Sequence, residues 1–192
     1  FFRRPTNKRY RRLPQNLADF GNYVYEVVKR YKDRFTYWEI WNEADIAFWQ
    51  GTDEEYIQLM QVAYQAAKRA DPTCQVSMTG LAYPFPHTNR TGRLCDGRAF
   101  LEKCLKLAPD EFDIVNFHSY GGMKSLDRKL TEIAELMRQY GCTKPVWITE
   151  TGMPTHLRGA TEQDQARYCA QAYATALAAG VAKIFWHCFH DW

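Results

Sequence analysis

A parallel α/β architecture, and within it part of a TIM or (β/α)8 barrel, is the fold class this sequence predicts. Three observations carry that reading. Short apolar runs alternate with amphipathic helical stretches along the chain, the pattern of a parallel sheet covered by helices. Trp41-Asn42-Glu43 follows the first predicted strand, where an open doubly wound sheet would carry phosphate-binding glycines. Polar residues also gather at the C-terminal tips of several different strands, and in a barrel those tips converge on one mouth.

The elements follow in order. Residues 16–31 read as a helix that Asn16 caps, with Phe20, Val24, Val27, Val28 and Tyr31 forming its apolar stripe. Residues 36–41 read as a strand. Thr52 or Asp53 opens the next helix, whose apolar face carries Tyr56, Leu59, Met60, Ala63, Tyr64 and Ala67, and Asp71-Pro72 stops it. Residues 75–79 form a second strand. The stretch from Gly80 to Arg98, with Pro84, Pro86 and Gly92, reads as a long irregular loop on the side where barrels build their active sites. A short helix over 99–107 ends before Pro109, and 112–117 is a β-rich run. A helix over 125–140 closes at Gly141, 145–149 is a short apolar strand, a helix over 161–179 ends at Gly180, and 182–186 is the last strand. That makes five strands with four helices between them and one helix before.

Composition narrows the class. The chain has 192 residues, 46% hydrophobic and 24% charged, which is ordinary for one globular domain. No apolar run reaches the roughly 18 residues of a membrane-spanning helix, and no signal peptide stands at Phe1. Arg3, Arg4, Lys8, Arg9, Arg11 and Arg12 make the start strongly basic and leave the remainder acidic. A basic arm with aromatics is also what a nucleic-acid binder shows, but nothing further along supports that partner, and a solvated loop or one beside an acidic sugar accounts for it. The six cysteines contain no CxxC pair, so a structural zinc site is not expected. Cys95 and Cys104 lie close enough in sequence for a bridge, and buried thiols account for them equally well. Asn89-Arg90-Thr91 has the form of a glycosylation sequon. An extracellular or periplasmic location is the expectation.

The chemistry concentrates at four strand ends. Asn42 and Glu43 end the first strand, His118 and Tyr120 the third, Glu150 the fourth, and Trp186 and His187 the last. Two carboxylates, an amide, an imidazole, a phenol and an indole at one mouth are what glycosidic hydrolysis needs. One carboxyl protonates the leaving oxygen, the other attacks or activates water, and neighbouring donors hold the hydroxyls. Glu39 has the strand parity of Glu43 and is expected one layer deeper as a buried, paired carboxylate. Trp38 and Trp147 have the opposite parity and are assigned to helix packing. His187 and His190 fall on opposite faces by strand alternation, which is poor geometry for a metal. His87 and His156 are expected as loop residues. No cofactor and no metal are called for.

These motifs resemble those of clan A glycoside hydrolases. Trp41-Asn42-Glu43 after Trp38-Glu39-Ile40 looks like their strand-four signature, and Trp147 to Gly152 like their strand-seven nucleophile segment. His118-Ser119-Tyr120 is similar to their segment after strand six, and Phe185-Trp186 to their strand-eight tryptophan. The run from Trp41 to Gly51, with Phe48-Trp49 before the glycine, is most similar to family 39 enzymes. The resemblance implies a retaining β-glycosidase acting on an oligosaccharide, polysaccharide or glycoconjugate. It implies Glu43 as acid/base, Asn42 on the sugar 2-hydroxyl, and Glu150 as nucleophile held by Tyr120. His118 would line the same subsite and Trp186 would form its floor. It also implies that residues 1–192 hold strands four to eight of the barrel with the helices between them, strands one to three being missing. A non-catalytic sugar-binding relative would have no use for both glutamates. A transglycosylase would use the same residues with a second sugar in place of water.

Overall fold

A computed structural model describes residues 11–83, 85–88, 92, 94–155 and 160–188. Most of the basic arm, the 89–91 sequon, His156 and His190 lie outside the described residues. The helices form where the apolar stripes require. They are α1 (Leu17–Tyr31), α2 (Asp53–Ala70), α3 (Gly97–Leu107), α4 (Met123–Gln139) and α5 (Glu162–Ala178). Asn16 caps α1 by accepting from Ala18 and Asp19. Thr52 and Glu55 make a reciprocal capping box at α2, and Thr161 and Asp164 do the same at α5.

The strands are β1 (Tyr37–Glu39), β2 (Gln75–Ser77), β3 (His87–Thr88), β4 (Leu94–Cys95), β5 (Val115–Ser119), β6 (Val146–Thr151) and β7 (Lys183–Trp186). β1 pairs with β2, β5 with β6 and β6 with β7, all parallel. Isolated parallel bridges Ser77–Ile114 and Leu81–Phe117 join β2 to the β5 segment. The five parallel strands therefore follow one another in chain order, with helices between them. Outward-facing Val76, Phe117 and Ile148 meet Leu59, Met60 and Ala63 of α2, Leu126 and Ile133 of α4, and Ala172 and Ala176 of α5 in one apolar core.

Three expectations are corrected. The stretch from Gly80 to Arg98 is not wholly irregular, because β3 and β4 pair in it as a short antiparallel hairpin. The third parallel strand starts at Val115 rather than Phe112, because the Asp113 carboxylate takes the Val76 N–H at 2.7 Å in place of a continuous ladder. Trp147 does not pack against a helix. β6 carries a bulge, in which Phe117 faces Ile148 but His118 faces Glu150, so Thr149 is the extra residue. The bulge reverses parity along β6, and Trp147 instead meets Tyr37 of β1 at 4.7 Å and Phe185 of β7 at 6.1 Å between ring centroids. All six cysteines are thiols, so no bridge joins Cys95 to Cys104.

Candidate active site

The site forms where β1, β2, β5 and β6 end. β1 is stopped by its own backbone, since Trp41 and Glu43 both adopt positive φ, at 74° and 46°. Such angles are strained for residues with a Cβ and persist only where the surroundings hold them. Here the Trp41 ring lies edge-on to Trp49 at 5.1 Å, its indole N–H donates to the Phe48 carbonyl, and the Glu43 amide donates to the Gly80 carbonyl. The turn brings the Glu43 side chain over the strand ends.

His118 is the hub. Its side chain is 1% exposed, and Nδ1 lies 2.9 Å from Glu43 Oε1 and 3.5 Å from Glu150 Oε2. Its Nε2 sits 3.2 Å from the Thr149 hydroxyl, which donates to the Asn116 amide oxygen at 3.0 Å. The β6 bulge is what lets Thr149 and Glu150 face the same way and meet this ring. Gly80 admits the ring on the other side, since a Cβ there would lie 2.1 Å from His118 Nε2. Glu150 accepts a 2.7 Å hydrogen bond from the Tyr120 hydroxyl. Burial, and then the Glu150 carboxylate, push the Tyr120 phenol well above its ordinary value, so it stays protonated and donates.

Glu39 lies beneath, as its parity requires. The residue is exposed rather than buried as expected, because it lies on β1, which pairs on one side only among the described strands. Its carboxyl still accepts the Gly80 amide at 2.9 Å, and enclosure there raises its pKa. Donor atoms of Glu43, His118 and Glu150 all fall within 4.8 Å of one another, so these are the described residues able to hold a cation.

The structure thus brings together Glu43, His118, Glu150 and Tyr120. Asn42 stands beside them, exposed and bridged to Gly80. Trp186 pairs with Thr151, and its ring lies 6.1 Å from Tyr168 on α5. Sequence reasoning missed Gly80, Asn116, Thr149, Asp45 and Lys129. Inward strand parity could have found Asn116. A lysine on the apolar stripe of α4, between Leu126 and Ile133, is the signal for Lys129.

Residues 23–191 match the family described as glycosyl hydrolase catalytic core. The chain belongs to that family. Among solved structures, this chain is similar to a glucosidase from Croceicoccus marinus, at 20% identity and a TM-score of 0.70, over 95% of this chain and 40% of that one. It is similar to a family 39 glycoside hydrolase from Bacteroides cellulosilyticus WH2, at 19% identity and 0.64, over 91% and 38%. It also resembles a monomeric β-xylosidase from Caulobacter crescentus CB15, at 18% identity and 0.64, over 93% and 40%. The chain therefore spans about 40% of the length of these structures. No curated protein matches it.

Proposed function

We propose that the chain carries the two catalytic carboxylates of a retaining β-glycoside hydrolase, with its parallel strands in positions four to eight of a (β/α)8 barrel. One observation carries the reading: two glutamates from the ends of β1 and β6 share the imidazole of His118, with carboxylate oxygens within 4.8 Å of each other. Retaining enzymes hold their carboxyls about 5–5.5 Å apart, and inverting ones leave roughly 6.5–9.5 Å for a water. The strand order and the similarity to family 39 structures support the barrel placement.

Glu150 is the nucleophile. The Tyr120 hydroxyl donates to its carboxylate and so orients it, and the phenol releases it as the oxygen attacks the anomeric carbon. Glu43 protonates the departing oxygen and then takes the proton of the attacking water. His118 fixes their spacing, Asn42 holds the sugar 2-hydroxyl, and Trp186 supplies an apolar wall. The substrate is a β-linked carbohydrate or glycoconjugate.

Aryl β-D-glucosides and β-D-xylosides with good and poor leaving groups test this in the full protein. Glu150→Ala is expected to lose nearly all turnover on every substrate. Glu43→Ala is expected to lose about 10²–10⁴-fold more on poor leaving groups than on activated ones. Azide should restore Glu43→Ala with a β-glycosyl azide product and Glu150→Ala with the α anomer. Reversed anomers would exchange the two roles, and full activity in both variants would end the reading.

A further inference from the structure

Lys129 places a charge in the packed interior. It lies on the face of α4 that also carries Leu126 and Ile133, and it is 5% exposed. Its Nζ donates to the Ala82 carbonyl at 2.6 Å and to the His118 carbonyl at 2.8 Å. Those carbonyls belong to different parts of the site, the turn after β2 and strand β5. The turn needs holding, because Tyr83 sits at φ 52° and such a conformation is unfavourable for a residue with a Cβ. Buried Asp45 accepts the amides of Ala82 and Tyr83 at 3.1 and 2.7 Å, and Arg128 donates to the Tyr83 carbonyl at 3.4 Å. The His118 amide donates to the Leu81 carbonyl at 2.7 Å. Lys129 supplies the second tie between the turn and His118, whose ring touches both glutamates.

We propose that Lys129 is a positioning residue for the two carboxylates: its ammonium clamps the turn after β2 to the backbone of His118 and so sets the imidazole against Glu43 and Glu150. The assignment rests on the hydrolase reading of that pair. An ammonium suits the task because hydrogen bonds from a charged donor are shorter and stronger than neutral ones. Burial and then Arg128 push Lys129 down to about 8, while Asp45 and Glu43 oppose that fall, so the charge is present at neutral pH.

The test is steady-state kinetics of the full protein on 4-nitrophenyl β-D-glucoside or β-D-xyloside, whichever turns over faster. Lys129→Met keeps the length of the stem and removes the donor. Its kcat should fall about 100-fold, since misplacing reacting groups by an ångström costs that much, with KM changed less than about twofold. The downfield ring N–H proton signal of His118 should move as well. Lys129→Ala should regain turnover in added propylammonium and not in tetramethylammonium at equal ionic strength. Wild-type kcat in folded Lys129→Met, with an unmoved His118 signal, overturns the proposal. If Lys129→Met does not fold, Lys129→Ala in propylammonium decides: restored folding without turnover overturns the role, and restored turnover supports it. Glu150→Ala on the same substrate is the reference. If it keeps full turnover, the hydrolase reading falls and the Lys129 role falls with it. If it is inactive while Lys129→Met has wild-type kcat, only the Lys129 assignment fails.

Discussion

Asp45 is 1% exposed and follows Glu43 by two residues. Two amide hydrogen bonds favour its ionised form, but burial outweighs them and raises its pKa from 3.8 to about 6. The folded chain therefore holds this proton more tightly than the unfolded one. The stability it contributes is complete below about pH 4 and is lost as pH rises through about 6. The loss corresponds to about 3 kcal/mol across that window. Urea unfolding measured between these pH values should show the decline in the wild type. Asp45→Asn, which keeps the acceptor oxygen and cannot ionise, should flatten it, and an undiminished slope in Asp45→Asn would assign the effect to another group. The same residue explains why the loop could not be read from sequence. Asp45 looks like any loop acid, and only the folded turn shows it capping Ala82 and Tyr83.

At the scale of elements, the starts of α1, α2 and α5 were legible because their chemistry is local, whereas α3 and α4 begin two residues before the expected 99 and 125, at Gly97 and Met123. Asn16, Thr52 and Thr161 each accept from amides within three residues, and the sequence contains both partners of each cap. Thr52→Ala should cost about 1 kcal/mol, read as a shifted urea midpoint, with activity unaffected once folded. A midpoint unchanged by that substitution would mean the capping box adds nothing to α2. Strand register was less legible. The bulge at Thr149 has no marker of its own in Val146 to Thr151, yet it turns Trp147 toward Tyr37 and carries Glu150 to the same side as Thr149. The hairpin of β3 and β4 was hidden for a similar reason, since two-residue strands leave no periodicity to read.

For the whole molecule, β1 and β7 each pair on one side only among the described strands. The side chains that face inward from them are correspondingly open, with Tyr37 48% and Phe185 45% exposed. Unpaired edges next to exposed aromatics invite association. The isolated 192-residue chain is expected to self-associate, measured by light scattering against concentration, with little turnover on aryl glycosides. A monodisperse monomer with full turnover would contradict this. The exposed aromatic pair also shows why composition misleads here: aromatic richness that reads as core or sugar platform includes rings of the sheet interior.

The sequence by itself determined the strand and helix alternation, the starts of α1, α2 and α5, and the gathering of Glu43, His118, Tyr120 and Glu150 at strand ends, because those follow from local periodicity and from the parallel order of the strands. Tertiary structure decided the rest. It set the spacing of the glutamates through one buried imidazole, which depends on a glycine and a bulge on two different strands. It also decided that a lysine on an apolar helix face ends between two carbonyls. Contacts of that kind join residues far apart in the chain, and no local pattern records them.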